Sequence, residues 1–378
     1  ITKMNENLIN DINSLINHLK KHQDTNIKAV MGFDGFVDQI LHVVKTRTDA
    51  NNYIRMETLK EFGDFISKAA GLSANIEFIP IKNKLGGNGP IMSNALSNYN
   101  LDVTYIGAVG EDSINKVFNE MSKKSTVINI SNPGLTDAVE FLDGKLMIGK
   151  RECLKDVNWK RIKEKIGIKE LTSLFSNAKL VGLENWTMLP YMTEIWNGLI
   201  NEVLLNINTN FDKYIFFDLA DPENRLKDDI LEALSVMKKF SSKFKVILGL
   251  NEKEAFEIGE VLDISSKTKK LSLEDLIKSI AKKLDIYCLV VHPVKEAFAV
   301  CDNKLYHTLG PYEPNPKLTT GAGDNFNAGF CFGKSIGLST QLSLVLGTAT
   351  SGYYVRNSKS PILENIINFL NDWKENLN

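Results

Sequence analysis

Leu8, Ile9, Ile12, Leu15, Ile16 and Leu19 recur at helical spacing, with Asn, Asp, Lys and His on the opposite side. That stripe predicts an amphipathic helix over residues 5–22, docked on the body or meeting a second copy. The pattern then changes. Residues 27–33 form a short apolar run, read as a buried strand ending at glycine. Similar runs recur at 103–106, 180–183, 214–217, 245–248 and 286–291, and helical patterns at 91–99, 188–205, 226–240 and 273–284 lie between several of them. Strands alternating with helices predict right-handed βαβ crossovers and a mostly parallel sheet covered on both faces.

Segments 43–56, 76–85 and 125–150 differ. They alternate polar and apolar positions and are broken by turns such as Asn132-Pro133-Gly134 and Asp143-Gly144. They predict half-exposed strands of a small second sheet. Helical periodicity returns at 325–335, 340–354 and 362–373. There is no internal repeat and no linker rich in Pro, Gly or Ser, so the second sheet is expected as an insertion. The expected organisation is an N-terminal helical extension over 1–26 and one α/β body over 27–378.

Composition narrows the function classes. Lys plus Arg is 45 and Asp plus Glu is 46, so a nucleic-acid surface working by counterion release is not expected. No run approaches the roughly 18 apolar residues that span a bilayer, and the first residues lack the layout of a secretion signal. Cys153, Cys288, Cys301 and Cys331 are irregularly spaced, as reduced thiols of a cytoplasmic protein would be. His18 and His22 share a helix face without a third ligand nearby, the pattern of a surface pair.

The strongest chemical signal is Leu318-Thr319-Thr320-Gly321-Ala322-Gly323-Asp324, followed by a helix of small and apolar residues. A glycine turn feeding a helix N-terminus points backbone N–H groups at one spot and adds the helix dipole, making an anion site. Asp324, in the first helical turn, reads either as a cap or as a general base beside a phosphate nest. The loop is neither a Walker A motif nor GxGxxG. Asp34 and Asp38 flank Gly35 after the first strand, where ligands gather in open α/β sheets. Asp34 is equally suited to an Asx-type turn.

Gly-Ala-Gly-Asp opening a helix resembles the signature of the ribokinase-like (PfkB) carbohydrate kinases. Four further stretches are similar to that family in the right order: Gly86-Gly87-Asn88-Gly89-Pro90 before a helix carrying Asn94, residues 101–112, Asp221-Pro222-Glu223-Asn224-Arg225, and Asn251-Glu252-Lys253-Glu254. The resemblance spans about residues 27–355. It implies a three-layer α/β/α sandwich with a mostly parallel central sheet and a small inserted β-sheet lid over the substrate. It implies ATP-dependent phosphoryl transfer to a hydroxyl of a sugar or sugar-like molecule, with Asp324 as base and Gly321, Ala322 and Gly323 shaping the anion hole.

Carried over by resemblance, Asp38 is the best-placed acceptor of a sugar hydroxyl, with Asp34 beside it. Gly86 and Gly87 let the backbone approach the sugar, and Asn88 and Asn94 bond its hydroxyls, although Asn88 is also placed to cap its helix. Thr320, Gly321 and Gly323 face the nucleotide. Asn251 and Glu254 organise Mg²⁺ through water, although Asn-x-x-Glu is also an ordinary helix cap. Leu318 stands where the family has Asp, which puts monovalent-cation activation in doubt, and His292-Pro293 replaces the family's nucleotide-side threonine and glycines.

Glu140 is expected to point to water, Trp186 to be a core or rim tryptophan, and His292 and His307 to be structural. Lys82, Lys84, Arg47 and Arg55 are expected as scattered lid charges, with binding of a phosphorylated sugar as the alternative. The partners implied are a small sugar and a nucleotide, with no nucleic acid or membrane, and the apolar lid face or the N-terminal helix would allow a homodimer. A nucleoside kinase and a non-catalytic carbohydrate-binding or regulatory relative are the neighbouring readings. A dinucleotide oxidoreductase lacks its glycine fingerprint here.

Overall fold

The computed structural model describes residues 2–22, 26–208, 212–265 and 271–377. In chain order its strands are β1 (Lys28–Phe33), β2 (Phe36–Arg47), β3 (Tyr53–Arg55), β4 (Phe78–Gly86), β5 (Asp102–Gly107), β6 (Thr126–Asn129), β7 (Gly134–Phe141), β8 (Gly144–Lys150), β9 (Leu180–Leu183), β10 (Tyr214–Asp218), β11 (Lys245–Leu250), β12 (Cys288–Val291), β13 (Glu296–Cys301) and β14 (Lys304–Leu309). Nine of them form one sheet in the order β14-β13-β12-β11-β10-β9-β1-β5-β6. It is parallel except for β13 and β14, which close one edge as an antiparallel hairpin.

The apolar runs follow from burial on both faces. Along β1, Val30 and Phe33 enter one hydrophobic cluster while Ala29 and Met31 enter the other. Helices Trp159–Ile166, Ile168–Asn177, Met192–Gly198, Lys227–Lys239, Glu252–Val261 and Leu273–Leu284 cover the first face. Helices Asn88–Asn98, Ala322–Ser335, Thr340–Asn357 and Leu363–Glu375 cover the second, giving the expected α/β/α sandwich.

The N-terminal helix, Thr2–Lys21, belongs to that second layer. Leu8, Ile12, Leu15, Ile16 and Leu19 are buried against the body, so its apolar stripe is consumed within the chain.

The second sheet holds β3, β2, β7 and β8, with β4 also paired to β2. One face packs Leu41, Val43, Val139 and Phe141 against Phe62 of helix Leu59–Lys68. By the two-residue period of strands, the other face carries Asp38, Thr136, Met147 and Gly149 toward the body. The stretch 125–150, read as lid throughout, divides between the sheets. β6 pairs in parallel with β5 at the edge of the main sheet. An edge strand with one wet face alternates polar and apolar residues just as a lid strand does, so pattern alone does not separate them.

Leu15 is fully buried between the N-terminal helix and the body. Leu15→Ala is expected to cost about 2–5 kcal/mol of unfolding free energy, measured by urea denaturation. A loss under about 1 kcal/mol would mean the helix is only loosely attached.

Candidate active site

Between the end of β1 and the start of β2 lie only Asp34 and Gly35. The Asp34 carboxylate is fully buried there and collects four donors. Asn88 N–H reaches Oδ2 at 2.9 Å, Gly89 N–H reaches Oδ1 at 3.0 Å, Asn185 Nδ2 reaches Oδ2 at 2.7 Å, and Tyr105 O–H reaches Oδ1 at 3.3 Å. The first two amides open helix Asn88–Asn98, so the carboxylate caps a helix from 54 residues away. Gly87, at φ +100, enters that helix in a conformation that costs other residues dear, and a Cβ there would lie 2.8 Å from Asp34 Oδ2.

That capping frees the Asn88 side chain for another task. Its Nδ2 donates to Asp324 Oδ1 at 2.9 Å. Asp324 sits in the first turn of helix Ala322–Ser335, which begins at Gly321 with φ +91. A Cβ at Gly321 would fall 2.8 Å from the Tyr354 hydroxyl, and that hydroxyl donates to Thr320 O at 2.8 Å, pinning the turn. The Ala322 N–H already donates to Thr319 O at 3.0 Å. The first-turn amides of Gly323 and Asp324 remain without a carbonyl partner in the helix, as helix geometry requires.

The turn separates two cavities. One, of about 370 Å³, lies under the lid and is lined by Asp38, Asn88, Thr136, Arg151, Asn185 and Asp324, among others. The other, of about 310 Å³, lies across the turn and is mainly apolar; Pro293, Val294, Pro311, Tyr312, Phe326 and Val355 line it, with Asn251 at its edge.

Electrostatically the floor is a set of buried carboxylates. Burial, reinforced by the charges of Asp34 and Glu254, pushes Asp324 up to about 8 against the opposing hydrogen bond from Asn88. Burial likewise raises Asp34 to about 6 despite its donors. Asp218 and Glu184 are raised well above the carboxylate range, first by burial and then by neighbouring carboxylates. Both Glu184 oxygens lack a hydrogen-bond partner among the described residues. Burial holds His292 down at about 4, so its imidazole is neutral near pH 7.

A model of the prokaryotic ketohexokinase family matches residues 10–373. The chain belongs to that family. It is 26% identical over 345 residues to a ketohexokinase of Haloferax volcanii, covering 90% of this chain and 89% of the relative. The ribokinase of Arabidopsis thaliana complexed with ribose and ATP superposes with a TM-score of 0.62 at 14% identity, covering 92% of this chain and 99% of that one. The ribokinase of Thermotoga maritima gives a TM-score of 0.60 at 16% identity, covering 91% and 99%. The fold is ribokinase-like and the chain is a carbohydrate kinase. No described helix is long and apolar enough to cross a membrane.

Within this ketohexokinase-family chain the expected site residues divide. Asp38, Gly87, Asn88, Gly321 and Asp324 line the cavity under the lid. Asp34 lies behind it, with its carboxylate engaged by the four donors. Gly86 gives room to Asp38, since a Cβ would fall 2.5 Å from its carboxylate. Asn94 does not line the cavity; Ile91 does, because three residues on from Asn88 return to the same helix face and six do not. Asn88 is not a side-chain cap, since Gly87 holds that position.

Thr320 faces the lid cavity, while Thr319, Ala322 and Gly323 face the apolar one. Ala322 shapes the turn, but its amide is already spent. Asn251 and Glu254 form a capping box: Glu254 Oε2 accepts from Asn251 N–H at 2.8 Å and Asn251 Oδ1 accepts from Glu254 N–H at 2.9 Å. Glu254 Oε1 also accepts from Asp221 N–H at 2.9 Å.

Trp186 is core, fully buried under Arg225. His307 pairs with Glu296 at 2.7 Å. His292 differs from its structural reading: it lines the apolar cavity and packs on Phe326. Asn185, Thr136, Arg151 and Tyr354 went unpredicted. Asn185 alone left a trace, as an Asn directly after a buried strand, where its left-handed φ of 59° is tolerated.

Asp34→Ala strips three donors of their acceptor at once, while the Tyr105 hydroxyl keeps the Asp34 main-chain carbonyl. It is expected to destabilise by about 3–5 kcal/mol, read by equilibrium unfolding, with Asp34→Asn losing less. Equal stability of Asp34→Ala and the wild type would refute the organising role.

Proposed function

We propose that this chain transfers the γ-phosphoryl group of ATP to a hydroxyl of a ketohexose bound under the lid. One observation carries the reading. Asp324 lines a cavity of mixed polar and apolar character walled by the lid, and its neighbour Gly323 lines a second, mainly apolar cavity across the turn.

In the cavity under the lid Asp38 and Asn88 accept and donate to sugar hydroxyls, and Asn185 and Arg151 bound the same space. Asp38 is itself raised above the ordinary range by burial, against the hydrogen bond from Thr136. The mainly apolar cavity takes the adenine ring, between Pro293, Tyr312 and Val355. The acceptor hydroxyl gives its proton to Asp324, its oxygen bonds to the γ-phosphorus, the bond from that phosphorus to the β–γ bridging oxygen breaks, and ADP leaves. The Gly323 and Asp324 amides and the dipole of helix Ala322–Ser335 stabilise charge on the transferring oxygens.

The Asn251–Glu254 pair fits Mg²⁺ only through water. Each Glu254 oxygen keeps one lone pair beyond its backbone bond, Asn251 reaches the mainly apolar cavity, and the described residues hold no group of three or more candidate metal ligands. When bound, Mg²⁺ neutralises phosphate charge. The chain's own part is to hold Asn251, Glu254 and Asp221 N–H in one connected network.

Asp324→Asn is expected to lower kcat by about 10²–10⁴-fold, measured with fructose and ATP; equal turnover would reject the base assignment. Only the ionised carboxylate accepts a proton. So kcat/KM should rise with pH up to about 8 and level above it. Asn88→Ala removes the hydrogen bond that lowers this pKa and should move the inflection upward. A profile flat between pH 6 and 9 would contradict the titration.

A further inference from the structure

Strand β8 brings one lysine across from the lid to the catalytic turn. Lys145 Nζ donates to Thr320 Oγ1 at 3.2 Å, although 175 residues separate them. Thr320 immediately precedes Gly321, the start of the anion-binding helix. Lys145 lies on the cavity face of the lid, opposite Glu140 in the β7–β8 ladder, and its Nζ is 3.8 Å from the Glu140 carboxylate. That pair is long, and Glu140 is 41% exposed, so water competes for its carboxylate. The Lys145 side chain is more protected, at 23% exposure. Lys84, opposite Asp38 on β4, stands in the same neighbourhood, its pKa lowered by burial and then by the charge of Lys145. Lys84 and Lys145 therefore stand together on the lid, with Arg151 lining the same cavity, and Lys145 is the one bonded to the turn.

The floor of the site crowds carboxyl groups: after burial, Asp34, Asp218 and Asp324 raise Glu184; Glu254, Asp324 and Asp34 raise Asp218; and Asp34 and Glu254 raise Asp324. The proposed base must be ionised to take a proton, so a phosphoryl group arriving beside Asp324 meets a negative charge, and two backbone amides and a helix dipole offset only part of it. A cation delivered from above is the missing counter-charge.

Resting on the kinase reading, we propose that Lys145 is a further catalytic residue, whose ammonium leaves the Thr320 hydroxyl to bond the transferring phosphoryl oxygens. Because it rides on the lid, full charge stabilisation assembles only when the lid lies over an acceptor. This favours transfer to the sugar over transfer to water. Lys145 takes no proton in the step; it stabilises charge while the acceptor's proton passes to Asp324.

The test is steady-state kinetics of the full chain with fructose and ATP, comparing wild type, Lys145→Met, Lys145→Arg and Glu140→Gln. Lys145→Met is expected to lower kcat by about 10²-fold or more, with KM for both substrates within about threefold. Lys145→Arg should recover at least about a tenth of wild-type kcat, since it restores the charge. Glu140→Gln should stay near wild type. Unchanged kcat in Lys145→Met overturns the proposal, and so does a raised fructose KM at full kcat, which would make Lys145 only a latch. If Lys145→Met unfolds, the Arg variant decides: a folded Arg variant below about a hundredth of wild-type kcat argues against a charge role. An inactive wild type would overturn the kinase reading and this proposal with it, whereas an active wild type matched by Lys145→Met overturns this proposal alone.

Discussion

The buried carboxylate of Asp34 fixes most of what the site requires. Burying it is costly, as its upward-shifted pKa records, and only a full set of donors makes that tolerable. Those donors come from three places: the start of helix Asn88–Asn98, Tyr105 on β5, and Asn185 just past β9. One side chain thus ties the end of β1 to its neighbours on either side and to the helix that faces the catalytic turn. The position of Asn88 follows from it, and the hydrogen bond from Asn88 to Asp324 follows from that.

This order of dependence explains how a nearly neutral protein can manage a polyanionic reactant. Net charge is −1, yet the local field around Asp324 is far from neutral. Carboxylates crowd the floor, while amide groups, a helix terminus and lid lysines supply positive character above it. A carboxylate whose pKa is lifted to about 8 accepts a proton more readily than an ordinary aspartate would, as the proposed base role asks, and the lift comes first from burial. The same burial that raises Asp324 needs Asn88 to keep it from rising further.

What could be read from the sequence was what depends on short spacing. The Gly321–Asp324 turn, Asp38 a few residues past the first strand and the alternating lid segments each carry their signal within a few residues. The β/α alternation likewise gave the sandwich. Asp34 was found but not its task, because its partners lie 54, 55, 71 and 151 residues away. Asn94 drew notice as a polar residue on an apolar helix, whereas the helical period decides which residue faces the cavity. The β13–β14 hairpin was missed although Asp302 and Asn303, at φ 51° and 61°, are the residue types that such a two-residue turn takes. The edge position of β6 was beyond pattern altogether, since half-exposed strands look alike in either sheet.

The lid is joined to the body at the points where the site is organised. β2 leaves β1 through Asp34 and Gly35, and β4 returns through Gly86 into Gly87 and Asn88. Both crossings converge on the Asp34 carboxylate, which bonds the backbone of one while belonging to the other. A lid displaced relative to the body must therefore strain the bonds that orient Asn88, and through Asn88 the Asp324 carboxylate. In the proposed reaction, acceptor binding under the lid and alignment of Asp324 are for this reason not independent events. The strands that wall the cavity under the lid are covalently continuous with the residues that aim the Asp324 carboxylate.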